Sequence, residues 1–192
     1  MRILIVIMVL LLLPASERVE AECISKDGEN IKAGFLECAK DGNRYIGEID
    51  RSIVDFLVGT WSTNCSAMKS KIVYQFNNLG QFTSQIYHLD SKDNTLKLSV
   101  FLEILGLKLS GGLVYMAGKS HIPLGQPPSG LRSNVADYVL VVYQNIDKNT
   151  RSIEDGYTIK DGVVEQEIKD GALAASGTKV IYFRCPEELK KR

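Results

Sequence analysis

The only tryptophan of the chain lies in Gly59-Thr60-Trp61, and this motif constrains the fold more than any other feature. It stands between a short amphipathic run at residues 52–57 and segments whose apolar residues recur at every second position. Glycine permits a sharp turn into a first strand, and an alternating strand can aim a ring two residues later inward. We therefore expect the indole to close one end of a small β-barrel.

Residues 1–21 have the organisation of a secretory signal peptide. Arg2 supplies a positive start, residues 3–13 are uninterrupted apolar residues, and residues 19–21 offer a cleavage site before Glu22. The apolar run is far shorter than the roughly 20 residues that span a bilayer, so a cleaved signal is favoured over an uncleaved anchor. The sequence thus predicts a secreted or periplasmic protein with no transmembrane segment after signal removal.

Charge and length exclude several classes of protein. The chain has 23 basic and 23 acidic side chains, so it offers no strong field to a polyanion, and we expect no nucleic-acid partner. Residues 22–192 have the length of one domain. We divide them into a cysteine-containing N-terminal hairpin segment at 22–50 and a barrel at 51–192.

All four cysteines follow the predicted signal, which favours two disulfides in an oxidising compartment. Three connectivities are possible. We favour Cys23–Cys38, which flank a local glycine-containing segment, and Cys65–Cys185, which end the first and last predicted barrel strands. Because there is no C-x-x-C and only two histidines, we expect no metal site.

Two alternating regions predict β-hairpins. The first covers residues 71–89 and turns at Asn-Asn-Leu-Gly. The second covers residues 157–168 and turns at Asp161-Gly162, because Asp-Gly adopts the positive φ angles of a type I′ turn. This turn places Ile159 opposite Val164.

Residues 96–109 are apolar on both faces, which fits two strands broken at Gly106 or a short helix, and we favour strands. Residues 120–134 carry three prolines and two glycines and predict a long loop, either a functional lid or a surface loop without a role. With further strands, the predicted fold is an all-β, antiparallel up-and-down barrel of eight or nine strands with a short N-terminal disulfide-stapled hairpin. The further strands are at 60–65, 138–144 and 179–185.

Three motifs resemble the signatures of the lipocalins. Residues 56–61 resemble the family's opening turn and Gly-x-Trp, Asp137-Tyr138 resembles its second signature, and residues 183–187 resemble the third. The resemblance implies a barrel that holds a small apolar ligand and an arginine, Arg184, that closes the barrel over Trp61. A guanidinium on an indole gains roughly 0.5–2 kcal/mol. The expected structural residues are Gly59, Trp61, Asp137, Tyr138 and Arg184.

The predicted function is that of a binding protein for a small apolar molecule, with no cofactor. The alternative is a protein-interaction module, such as a secreted inhibitor or envelope component, that uses residues 96–109 and the loop at 120–134 as its contact surface. Candidate ligand-binding residues are aromatic or branched residues of the predicted strands: Tyr74, Phe76, Phe82, Ile86, Tyr138 and Ile159.

Catalytic patterns are weak in this sequence. No Gly-x-Ser-x-Gly elbow is present, and every cysteine is better explained by a disulfide. Glu165 and Glu167 lie on one face of a predicted strand beside a turn, where a solvated face is a better interpretation than acid/base chemistry. We therefore expect no catalytic residues and no enzyme activity.

Overall fold

The computed structural model describes residues 22–24, 31–40, 44–121, 137–173 and 175–186 of the 192-residue chain, with the backbone alone for 22–24 and 44–46. The predicted signal peptide and most of the loop predicted at 120–134 lie outside these residues. The elements are β1 (Glu22–Ile24), α1 (Ile31–Lys40), β2 (Arg44–Ile46), α2 (Arg51–Leu57), β3 (Gly59–Ser62), β4 (Ser70–Phe76), β5 (Phe82–Asp90), β6 (Thr95–Ser110), β7 (Leu113–His121), β8 (Tyr138–Asp147), β9 (Thr150–Lys160), β10 (Val163–Lys169), β11 (Ala172–Leu173) and β12 (Ile181–Cys185).

Eight of the described strands close into an antiparallel barrel. Strands β3 to β9 are neighbours in chain order, and β12 pairs with both β9 and β3 to complete the ring. The first half of β9 pairs with β12, whereas its second half pairs with β10, which leads to the short β11. The predicted all-β, up-and-down barrel is confirmed.

The hairpin turns follow the chemistry of their sequences. Asp161 and Gly162 have φ angles of 50° and 76°, as a type I′ turn requires, and Ile159 lies opposite Val164 as predicted. The turn between β4 and β5 is fixed by Asn77, whose side-chain oxygen accepts hydrogen bonds from the backbone N–H groups of residues 79 and 81. Both predicted hairpins are therefore confirmed.

The doubly apolar region at 96–109 is one long strand, β6. The preference for strand over helix is confirmed, but the predicted break at Gly106 is replaced by a β-bulge between Ile104 and Gly106. The extra residue sends Leu105 to one face of the sheet while Ile104 and Leu107 stay on the other. The region is apolar on both faces because both faces of β6 are covered.

The prediction of an N-terminal hairpin is wrong. β1 and β2 pair in parallel, and a parallel pair needs a crossover, which α1 provides between them. Phe35, Cys38 and Ala39 are the buried residues of α1, and their spacing of three and four places them on one helical face. That spacing is the sequence signal for this helix.

One of the two predicted disulfides is fully described. Cys65 and Cys185 are bonded, with Cα atoms 5.4 Å apart, which confirms that prediction. Cys38 is also disulfide-bonded, but the Cys23 side chain lies outside the described residues, and so does the predicted Cys23–Cys38 pairing. The confirmed bond ties the end of β12 to the segment that follows β3.

The apolar residues form two clusters on opposite faces of the barrel wall. The inner core fills the barrel between its strands and α2; among its largest members are Trp61, Tyr74, Phe82, Met116 and Tyr143. The outer cluster lies under α1, which packs on β7, β8 and β10, and the cluster also includes residues of β6 and β9. Its buried members are Phe35, Cys38, Ala39, Leu105, Ala117, Tyr138, Leu140, Tyr157 and Ile159.

Candidate functional site

The closed end of the barrel is built by α2 and the turn that follows it. Asp50 caps α2 by accepting a hydrogen bond from the Ser52 N–H. Gly59 then has a φ of +129°, which a residue with a Cβ rarely adopts. This turn brings Trp61 back under the helix, where its indole N–H donates to the Leu57 carbonyl at 2.8 Å. The indole is 2% exposed.

Arg184 on β12 lies directly opposite Trp61 in the sheet and is partly exposed at this end. Its guanidinium lies 4.8 Å from the centre of the Trp61 ring and donates to the carbonyl oxygens of Val58, at 2.8 Å, and Phe56. Burial, with a smaller contribution from Arg151, lowers the pKa of Arg184. A Cβ added to Gly59 would come within 3.5 Å of the same guanidinium. The contact expected from the lipocalin resemblance is therefore present, and it holds the turn that precedes β3.

A second arginine, Arg151, lies inside the barrel on β9, which pairs with β12 on the side opposite β3. Its side chain is 0% exposed, and its guanidinium carbon is 4.0 Å from the Trp61 ring centre. The rings of Tyr143, Tyr74 and Tyr182 surround it at 4.5, 4.8 and 6.0 Å. All three guanidinium nitrogens are buried without a hydrogen-bond partner. We call Arg151 and these four rings the arginine cage.

The rings of the arginine cage offset part of the cost of burying a charge but leave its N–H donors without an acceptor. Each close ring contributes about 0.5–2 kcal/mol, whereas the effective penalty for burying an ion is several kcal/mol and arginine does not lose its proton in proteins. Rings also cannot satisfy five N–H donors. Among the described residues, Arg151 is the one buried charged side chain, and no buried carboxylate faces it. The cage therefore contains a buried cation whose N–H donors have no acceptor among the described residues.

Two tyrosine hydroxyls complete the polar part of the cage. Tyr74 on β4 and Tyr143 on β8 are on opposite sides of the barrel, and their hydroxyl oxygens are 2.7 Å apart, within hydrogen-bonding distance. Burial raises the pKa of Tyr143 well above its ordinary value, so this hydroxyl keeps its proton near neutral pH. Tyr143 therefore offers a neutral O–H group next to a cation.

Above the arginine cage, towards the end of the barrel where β7 finishes and β8 begins, the inner wall is less tightly packed. Ile86, Val100, Val139 and Val141 pack against the inner core but remain partly exposed. Two further side chains at inward-facing positions have no hydrogen-bond partner for their buried hydroxyl oxygens, Ser84 on β5 and Ser120 on β7. Inward-facing side chains keep accessible surface only where there is space beside them, so the barrel is filled at its closed end and less filled above it.

The candidate ligand-binding residues are divided between the two faces of the wall. Tyr74 and Phe82 belong to the inner core and Ile86 packs against it. Phe76 is 49% exposed at the closed end, where its ring centre lies 5.4 Å from that of Phe82. Tyr138 and Ile159 belong instead to the outer cluster, because the register of β8 and β9 turns them towards α1. Alternation alone does not distinguish the faces here, because both are apolar.

The second-signature residues Asp137 and Tyr138 connect β8, the β9–β10 turn and α1 at the end of the barrel opposite the closed end. The Asp137 carboxylate accepts a hydrogen bond from the Asp161 N–H at 2.8 Å, which fixes the β9–β10 turn to the start of β8. Tyr138 contacts Phe35 of α1, with ring centres 6.4 Å apart. A Cβ on Gly162 would lie 2.9 Å from the Lys40 carbonyl oxygen, so this turn also touches α1. Asp137 and Tyr138 therefore hold parts of the fold together, as expected for structural residues.

The remaining polar candidates are separated from the barrel interior. Glu165 and Glu167 are exposed, and Glu167 accepts a hydrogen bond from Thr158 at 3.3 Å. His121 lies on the surface 3.3 Å from the Glu103 carboxylate. Within the described ranges, no group of three or more His, Cys, Asp or Glu side chains is placed to hold a metal ion.

Arg151 is the residue that sequence analysis missed. It occupies the second position of β9, two residues before the inward-facing Ile153, so simple alternation assigns it to the interior. That assignment requires knowing which face of β9 is inside. The sequence does not show it, because the apolar residues Ile153 and Ile159 lie on opposite faces of the strand. A charged residue at strand spacing from apolar residues is the signal that could have found it.

Comparison with known proteins gives no match: no family model matches the chain, no curated protein matches its sequence, and no solved structure matches it. None of the described helices is long and apolar enough to cross a membrane.

Proposed function

We propose that this protein is a secreted or periplasmic binding protein that holds one small apolar ligand inside a lipocalin-like barrel. The observation that supports this most is the change along the inner wall, from the packed closed end to the partly exposed Ile86, Val100, Val139 and Val141. An eight-stranded barrel is wide enough to hold one small ligand. The proposal includes no catalytic step and no cofactor.

The lipocalin part of the proposal is supported by how the three sequence motifs meet. Gly59, Trp61 and Arg184 come together at the closed end, where the arginine lies over the indole. Asp137 and Tyr138 begin a barrel strand, as that family's second signature does. A closed antiparallel barrel of eight strands is the architecture that the resemblance implies.

The location is supported by two independent features. The signal-like residues 1–21 predict export. The Cys65–Cys185 disulfide is typical of proteins that fold in an oxidising compartment. Both features favour the cell exterior, the secretory pathway or a bacterial periplasm over the cytosol.

An apolar fluorescent probe tests whether the interior binds ligand. We expect saturable binding at about one probe per chain with a dissociation constant of roughly 1 μM, typical of about 8 kcal/mol of affinity. Val141→Phe adds volume to the inner wall and should weaken binding about tenfold or more. Ile181→Phe is the matched control, because Ile181 precedes the inward-facing Tyr182 and therefore lies on the outer face.

Native mass spectrometry of the purified protein gives a second readout that needs no chosen probe. We expect a bound small molecule that is released on unfolding. If the probe does not saturate, or if Val141→Phe and Ile181→Phe bind it as the wild type does, the interior is not the binding site and the proposal fails.

The alternative function, a protein-interaction module, has lost part of its expected contact surface. Residues 96–109 lie wholly within β6, where Leu102, Ile104, Leu105 and Leu107 are buried, and Leu109 is 50% exposed. The other part, the loop predicted at 120–134, lies mostly outside the described residues. We therefore place the binding of a small ligand first.

A further inference from the structure

Arg151 carries information about the chemistry of the ligand. Its guanidinium is completely buried at the closed end, and none of its nitrogens has a hydrogen-bond partner. Buried charges in proteins are usually paired or hydrogen-bonded, and an unpaired one is among the most destabilising features a core can contain. A protein that keeps such a group inside a binding cavity gains from it when the ligand supplies the missing charge.

The groups around Arg151 favour an anion over a neutral ligand. Its neighbours are the aromatic rings of Trp61, Tyr74, Tyr143 and Tyr182, and the Arg184 cation is near enough to interact with it electrostatically. No carboxylate of the described residues is buried with it. The local field at the arginine cage is therefore positive, and it attracts negative charge.

We propose that the ligand is an amphipathic anion, an apolar chain that ends in a carboxylate, and that Arg151 binds its head group. This inference rests on the proposed function, since it requires that the barrel interior binds a ligand at all. Arginine suits a carboxylate because its planar fork donates two parallel hydrogen bonds to the two oxygens.

The rest of the interior matches the two ends of such a molecule. The hydroxyl groups of Tyr74 and Tyr143, which now contact each other, can turn to donate to the carboxylate as it enters. The apolar chain then lies along the partly exposed Val100, Val139 and Val141 towards the open end. The ligand would therefore bind head first, with its charge at the closed end and its tail near the mouth.

Trp61 provides a direct readout of the head-group position. It is the only tryptophan of the chain and its ring lies 4.0 Å from the Arg151 guanidinium. A carboxylate that pairs with Arg151 changes the charge next to the indole. Its fluorescence should therefore change in intensity or wavelength when the anion binds, and should change less with a neutral ligand of the same chain.

The test compares dodecanoate with dodecan-1-ol, which share a chain and differ in charge, by displacement of the apolar probe and by Trp61 fluorescence. We expect the wild type to bind dodecanoate at least about tenfold more tightly than the alcohol. Arg151→Met should remove this difference while still binding the alcohol, and Arg151→Lys should retain part of it because the charge remains. Arg184→Gln, which removes the arginine outside the indole, should keep the preference.

The outcomes separate the two proposals. If the wild type binds both molecules equally, or if Arg151→Met keeps the preference for dodecanoate, Arg151 is not a head-group site, although the barrel still binds apolar ligands. If neither molecule nor the probe binds, the proposed function itself fails and this inference fails with it. Near-ultraviolet circular dichroism of each variant shows that it is folded, so that a loss of binding is not read from unfolded protein.

Discussion

The two arginines at the closed end contact the same indole but have opposite surroundings. Arg184 is partly exposed and donates to two backbone carbonyl groups. Arg151 lies inside, fully buried, and donates to none. Both guanidinium groups are within 4.8 Å of the ring centre. The ring contact is therefore shared, and the hydrogen-bond partners are what distinguish the two residues.

The hydrogen-bond partners assign different roles to the two arginines, a structural role for Arg184 and the proposed ligand-binding role for Arg151. Two of the three Arg184 nitrogens donate to groups of its own chain, the Val58 and Phe56 carbonyl oxygens, and only its buried Nε has no partner. Arg151 has the same donors and no acceptor for them, so the fold positions it without satisfying it. We therefore expect Arg184 to stabilise the folded protein. We expect Arg151 to destabilise it as long as no ligand is bound.

The largest expected effect is the loss of the ring that both arginines share. Trp61→Ala removes a 2% exposed side chain from the inner core, and truncation of a core aromatic residue costs about 3–5 kcal/mol of unfolding free energy. Guanidinium-induced unfolding measures it, with Phe183→Ala as the control, because Phe183 is 44% exposed on the outer face. An unchanged midpoint for Trp61→Ala would show that the indole does not support the closed end.

Much of the barrel could be predicted from sequence because its signals are local. The Asp161-Gly162 turn, the alternation of β4 and β5 and the Gly59-Thr60-Trp61 entry each depend on a few adjacent residues. The Cys65–Cys185 bond could be predicted because the ends of the first and last strands meet when a barrel closes. These features depend on local backbone geometry and on closure of the barrel, and short sequence patterns predict both.

The arginine cage could not be predicted because it depends on which face of each strand turns inward. Bulges in β6, β8 and β9 shift the register, so Ile153 points inward and Ile159 outward although they lie six residues apart on one strand. The helix α1 covers apolar residues on the outer face of the barrel, and the sequence alone would assign these residues to the interior. Only the assembled barrel brings Tyr74 and Tyr143 from opposite walls to the side of Arg151.

The second prediction has the opposite sign to the first. Arg151→Met replaces an unpaired buried cation with an apolar side chain of similar length, and such replacements are neutral or stabilising by about 1–4 kcal/mol. We therefore expect the ligand-free variant to unfold at a higher guanidinium concentration than the ligand-free wild type. The comparison must use delipidated protein, because a bound ligand stabilises the wild type by mass action. A variant less stable than the wild type would mean that the surrounding rings alone satisfy Arg151, and that the two arginines differ less than their contacts indicate.

The smallest effect is expected at Arg184. Arg184→Gln removes a guanidinium that bonds the Val58 and Phe56 carbonyl groups and contacts Trp61, so it should destabilise the protein. Because the side chain is partly exposed and water can replace it, we expect a loss of only about 1–2 kcal/mol in the same unfolding experiment. Arg184→Lys keeps the charge but loses the planar fork, so it should recover little of this loss if the two carbonyl bonds matter and most of it if charge alone matters. A stabilising Arg184→Gln would show that both arginines cost stability, and the contrast between their hydrogen-bond partners would then no longer support the proposed ligand site.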